Sequence, residues 1–211
     1  LQVETYQEII RGFTGAEGHE RPVLPQPTEA QWAKAAAFLS SAAGKRKIGL
    51  CVKGTFGLKT WPKEYFVEVV CALHARYDAA FYVTGTPGDH DYAEEVIAAI
   101  GLPVENLCGK TNLMELAAFY QQLDLLVSVD TGGAHIAAAT GVPLVVMFGC
   151  TSPRRWHPIS DNAQAITSNE PCCPCSYGET DCPSYPQPDC LYNVKPDKVL
   201  VECVKILDGE M

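Results

Sequence analysis

The stretch that most restricts the fold is Asp124 to Gly149, DLLVSVDTGGAHIAAATGVPLVVMFG. An apolar run, Leu125 to Val129, stops at Asp130, and a Thr131-Gly132-Gly133 turn follows. An Ala-rich segment then runs from Ala134 to Thr140 and is ended by Gly141; a second apolar run, Leu144 to Phe148, begins after Pro143. This is the pattern of strand, tight turn, short helix and strand, a βαβ unit. Two glycines, a threonine hydroxyl and His135 gather where the helix starts. The first N–H groups of a helix lack intrahelical partners, and the positive end of its dipole adds to them. Such a terminus suits an anion, and above all a phosphate.

The same alternation runs through residues 45–211. Ile48 to Val52 and Ala80 to Thr84 read as strands, and Asn106 to Cys108 as a short one. Helices are expected near Lys63 to Tyr77, where Phe66, Val69, Val70 and Leu73 recur at helical spacing, and from Asp91 to Ile100, stopped by Gly101. Asn112 caps another that reaches about Gln122, and Lys195 to Leu207 closes the chain as an amphipathic helix. The implied fold is α/β, a Rossmann-like doubly wound parallel sheet covered on both faces, with ligands bound at the carboxyl ends of its strands. Thr151 to Asp189 reads as loop, with a Cys-rich part at 171–190. Residues 1–44 read as a linker with two helices. Val3 to Arg11 is ended by Gly12; a Gly/Pro-rich stretch, Gly15 to Pro27, follows; a Thr28/Gln31 capping box then opens a helix through Ser41 that buries Trp32, Ala36 and Leu39.

Composition excludes several classes. A chain of 211 residues with 47% hydrophobic content can bury one sizeable core. Its formal charge of −9 argues against a nucleic-acid partner. No apolar run approaches the roughly 20 residues of a membrane-spanning helix. The chain opens on Leu1 rather than methionine, as expected of a piece of a longer protein or of a processed or trimmed one.

Three strand-end loops carry the chemistry. Lys53 to Trp61, KGTFGLKTW, combines glycines, the Thr55 hydroxyl and the Lys59 cation. The nucleotide-hydrolase phosphate loop needs four residues between its glycines and a lysine directly after the second, so that reading fails on spacing. A mobile cation beside a glycine turn still suits phosphate, although a solvated surface lysine would explain the loop taken alone. In Thr84 to Asp91, Asp89 could accept ribose hydroxyls or favour the start of the next helix. In the third loop, Asp130 could bind hydroxyls or cap the helix, and His135 could donate to a phosphate oxygen or simply pack.

Together these residues resemble glycosyltransferase family 9, the heptosyltransferases of lipopolysaccharide core assembly. The resemblance rests on Val129-Asp130-Thr131-Gly132-Gly133-Ala134-His135, Gly141-Val142-Pro143 and Phe148-Gly149, with support from Lys59-Thr60-Trp61-Pro62 and Gly109-Lys110-Thr111-Asn112-Leu113. It covers residues 47 to 207 and implies the C-terminal, donor-binding half of a two-domain GT-B enzyme. It further implies a nucleotide-sugar donor, ADP-heptose, with Thr55, Lys59, Asp130, Thr131, Gly132, Gly133 and His135 at its phosphates, and Asp89 and Thr111 toward the nucleoside. Asp89 stands where the family often has Glu, and Gly133 where it often has a bulkier residue. The general base and the lipid-linked acceptor belong to the N-terminal domain, so no catalytic base is expected here and no cofactor is required for catalysis. The implied location is the cytoplasm, with peripheral association at the inner membrane. A lone nucleotide-binding module and half of a GT-B sugar epimerase are the competing readings.

Ten cysteines remain to be placed. Cys51, Cys71, Cys108, Cys150 and Cys203 are scattered and read as small buried hydrophobes. Cys172, Cys175, Cys182 and Cys190, with Cys173 among them, are dense enough to chelate. A structural zinc or iron–sulfur centre, reduced thiols and disulfides all stay open.

Overall fold

The computed structural model describes residues 2–15, 22–175 and 181–210; most of the Gly/Pro-rich stretch and part of the Cys-rich loop lie outside them. Six strands form one parallel sheet: β1 (Arg46–Cys51), β2 (Ala79–Val83), β3 (Val104–Asn106), β4 (Leu125–Val129), β5 (Leu144–Met147) and β6 (Ala163–Ile166). Their order is β3-β2-β1-β4-β5-β6. The chain winds outward from β1 in one direction and then returns to place β4 on its other side, so strand-end loops diverge between β1 and β4 and leave a crevice.

Strand side chains alternate between two cores. From β4, Leu125, Val127 and Val129 point to one face, where α3 (Lys63–Arg76), α4 (His90–Ile100) and α9 (Pro196–Leu207) pack. Leu126 points to the other, against α2 (Glu29–Phe38), α5 (Leu113–Tyr120) and α6 (Gly132–Thr140). Four of the five β4 residues are apolar and all five are buried, as expected of a central parallel strand. Phe66, Val69, Val70 and Leu73 are the buried residues of α3, in agreement with the periodicity. Capping boxes at Thr28 and Asn112 open α2 and α5, and Gly101 and Gly141, both at positive φ, close α4 and α6.

Several expectations need correction. α1 (Gln2–Thr14) runs through Gly12 and ends at Gly15, whose φ of 68° supplies the left-handed stop. In α2 the buried alanine is Ala35, while Ala36 is exposed. The stretch read as loop contains β6 and the short helix α7 (Pro153–Trp156), and α8 (Asp189–Tyr192) begins at its last residue. β3 lies two residues earlier than expected, because its register is set by pairing Val104 with Phe81. Among the described residues, no helix is long and apolar enough to cross a membrane.

Candidate functional site

A cavity of about 410 Å³ opens at the carboxyl ends of β1, β2, β3 and β4. Its lining includes Thr55, Asp89, Thr111, Thr131, Gly132 and Gly133 from the expected set, together with Lys53, Thr84 and Tyr120. Leu113, Leu116, Ile136 and Pro87 add an apolar wall. Four strand-end loops thus meet at one crevice, where ligands of doubly wound sheets bind.

The α6 end of the cavity presents the chemistry of a helix N-terminus. Thr131 is the N-cap residue, yet its side chain makes no cap bond, so the first-turn N–H groups of Gly132 and Gly133 have no side-chain cap. Gly133 has a packing reason as well: a Cβ there would lie 3.0 Å from Cys51 Sγ and 3.2 Å from the Tyr120 hydroxyl. That corner is filled by a buried triad in which Thr84 Oγ1 lies 2.8 Å from Tyr120 Oη and 3.3 Å from Cys51 Sγ. Burial raises the Cys51 thiol, so it stays protonated and serves as a packed polar group.

Asp130 neither caps the helix nor lines the cavity. Its Oδ2 accepts from Lys59 Nζ at 2.8 Å and from Thr151 Oγ1 at 2.6 Å. The Asp130 side chain is 6% exposed and that of Lys59 18%, so this pair is largely withdrawn from water. The loop carrying Lys59 is held on both sides, by buried Leu58 and by Trp61, whose indole donates to the Val194 carbonyl at 2.9 Å. Gly54 allows the loop to fold back, since a Cβ there would lie 2.6 Å from the Lys59 carbonyl oxygen. Lys59 and Asp130 therefore form a charged corner beside the cavity rather than part of its lining. His135 sits on the first turn of α6 with part of its surface in solvent and part of its ring covered. Desolvation lowers its pKa; Asp130 raises it, and Lys59 and His157 lower it further. The ring is thus neutral at neutral pH.

Asp89 is more committed than the sequence suggested. Its Oδ2 accepts from the Thr86 N–H at 2.8 Å and the Thr86 hydroxyl at 2.7 Å, a local cap that occupies one carboxylate oxygen at the helix start. Its Oδ1 faces Lys53 Nζ at 3.4 Å. Lys53, Tyr120 and Thr151 were missed as site residues. Lys53 follows a strand within a loop that has a second lysine, Tyr120 ends an amphipathic helix, and Thr151 comes in from a segment read as loop.

The Cys-rich loop packs against Cys190: Cys172 is exposed, Cys190 is buried, and Cys190 shares a hydrogen bond with Cys173. Among the described residues, no group of three or more His, Cys, Asp or Glu side chains is placed to hold a metal ion. All ten cysteines are free thiols, and burial pushes the Cys190 thiol up to about 11. Cys71, expected to be buried, is exposed.

A family model, glycosyltransferase family 9 (heptosyltransferase), matches residues 1–185. The chain belongs to glycosyltransferase family 9. Lipooligosaccharide heptosyltransferase 2 of Campylobacter jejuni is 27% identical over 169 residues, which cover 78% of this chain and 52% of that protein. Lipopolysaccharide heptosyltransferase 3 of Escherichia coli is 39% identical over 108 residues, covering 49% of this chain and 31% of that protein. The chain thus spans about half, or less, of the length of these relatives. The solved structure of E. coli ADP-heptose lps heptosyltransferase II superposes with a TM-score of 0.70 at 25% identity, covering 92% of this chain and 56% of that one. A family 9 glycosyl transferase from Veillonella parvula gives 0.83 at 20% identity over 99% and 60%, which shows the shared fold alone.

Proposed function

We propose that this chain is the donor-binding half of an inverting GT-B glycosyltransferase. In this reading it holds a nucleotide sugar, ADP-heptose, whose sugar passes to the lipopolysaccharide core. Residues 45–211 form the donor domain, and residues 1–44 lead into it. The reading is carried by the strand-end cavity, which ends on the uncapped N-terminus of α6 with the Lys59–Asp130 corner beside it. It is supported by the family and by the E. coli relative named for ADP-heptose.

The diphosphate lies against Thr55 and the Thr131-Gly132-Gly133 turn, with Lys59, Asp130 and His135 at its sugar end. The nucleoside lies toward Asp89 and Thr111. An acceptor hydroxyl attacks the anomeric carbon as the bond to the diphosphate oxygen breaks, and the electron pair leaves on that oxygen. Helix N–H groups and Lys59 stabilise the departing charge, an electrostatic task that requires no cofactor. The base that takes the hydroxyl proton is assigned to the other half of the enzyme, together with the lipid-linked acceptor. The chain then works in the cytoplasm at the inner face of the inner membrane, where its acceptor lies.

Calorimetric titration with ADP, UDP and ADP-heptose tests this reading. ADP and ADP-heptose should bind with an affinity at least about 10-fold above that of UDP, and Lys59→Ala should lower it by about 10-fold or more. No sugar transfer by the isolated chain is expected. Unchanged affinity in the Lys59 variant, or turnover without a second domain, would sink the assignment.

A further inference from the structure

Lys53 stands two residues past the end of β1 and lines the same cavity as Thr55, Asp89 and the Gly132–Gly133 turn. Its ammonium lies 3.4 Å from Asp89 Oδ1 and donates to the Gly88 carbonyl at 3.2 Å, so it bridges the β1 loop to the β2 loop across the cavity mouth. Two features set this pair apart from Lys59–Asp130. Asp89 does not depend on Lys53, because Thr86 already gives its other oxygen two hydrogen bonds. The pair is also less buried, with side chains 35% and 22% exposed against 18% and 6%, so separating its charges costs less. A diphosphate entering the cavity therefore meets one cation already neutralised at 2.8 Å by a buried carboxylate, and a second that can leave its partner cheaply.

We propose that Lys53 is the exchangeable cation of the donor site: on binding it leaves Asp89 for the diphosphate, and the Asp89 oxygen it vacates accepts a ribose hydroxyl. The proposal rests on the reading of the cavity as a nucleoside-diphosphate site. A flexible four-carbon stem lets the ammonium change partners without moving the backbone. Phosphate and ribose recognition then become interdependent, because only an anion draws the lysine off the carboxylate. An isolated nucleoside finds Asp89 still occupied. Its Oδ2 is tied down by Thr86, so only Oδ1 is exchanged.

The test is calorimetry on the full chain with ADP, UDP and GDP. The tightest of the three is then compared with its own monophosphate and nucleoside, the weaker ligands being measured by competition. Lys53→Met should weaken the diphosphate by about 10-fold, leave the nucleoside unchanged or slightly tighter because Asp89 is freed, and make diphosphate binding less sensitive to salt. Asp89→Asn should weaken the diphosphate several-fold and leave the nucleoside nearly unchanged. Lys53→Arg should recover part of the preference for the diphosphate, and thermal melts of each variant check that the fold is kept. Equal losses for nucleoside and diphosphate in Lys53→Met would overturn the proposal, because Lys53 would then act only by packing the mouth. Diphosphate affinity kept in Lys53→Met but lost in Lys59→Ala would also overturn it while leaving the donor reading intact. No diphosphate binding by the wild-type chain would remove both.

Discussion

Two lysine–aspartate pairs flank one crevice, and their surroundings give them opposite characters. Lys59–Asp130 is close, largely buried and joined by the Thr151 hydroxyl; Lys53–Asp89 is longer, wetter and spans two loops. A buried charge costs desolvation that only its partner offsets, so removing one member leaves the other stranded. An exposed pair has water to replace whichever member leaves. The first pair therefore acts as framework and the second as a movable part, although both join the same two residue types at the ends of neighbouring strands.

The largest expected effect is at the buried corner. Asp130→Ala should lower unfolding free energy by about 2–4 kcal/mol in urea titration, somewhat below the full range for a buried pair because Lys59 keeps some solvent contact. A loss under about 1 kcal/mol would mean that water screens this corner as it does the outer one. Thr151→Val keeps the shape but removes one donor to Asp130, and about 1 kcal/mol should be lost by the same measurement.

The next effect is in pH. Desolvation holds His135 below its ordinary value of 6.5, so the unfolded chain takes up its proton first as pH falls. Stability from this group is complete above about 6.5 and is lost as pH drops from there through the lowered folded value. Diphosphate affinity should move the other way, rising as the ring becomes cationic beside the anion. His135→Gln should flatten both trends, and a slope that survives this change would place the titrating group elsewhere. The smallest effect belongs to the outer pair: Lys53→Met should change stability by less than about 0.5 kcal/mol, whatever it does to binding. A loss comparable to that of Asp130→Ala would erase the contrast between the corners.

Elements with strong local signals were legible before any tertiary contact was known. The α3 stripe, the Thr28 and Asn112 caps and the glycine stops of α4 and α6 all appear where the sequence places them. β6 was not legible, since Ala163-Gln164-Ala165-Ile166 has one β-branched residue and becomes a strand by pairing with β5. Gly12 misled because a glycine is a plausible helix stop, whereas the positive φ falls at Gly15. Cys71 misled because it adjoins Val69 and Val70 in sequence but turns outward on α3. In the cavity, the turn from Thr131 to Gly133 was readable as the start of a helix, while the partners of Asp89 and Asp130 were not.

By itself the sequence determined the α/β alternation, the parallel sheet and the glycine turn at the start of α6. Periodicity, caps and turn residues act over a few positions, and a single chain displays them directly. Only the tertiary structure decided that Asp130 belongs to Lys59 and Asp89 to Lys53. Lys59 and Asp130 stand 71 positions apart, and they meet only when β4 is laid beside β1. How strongly each pair holds then depends on the water left around it, a property of packing that no spacing of residues encodes.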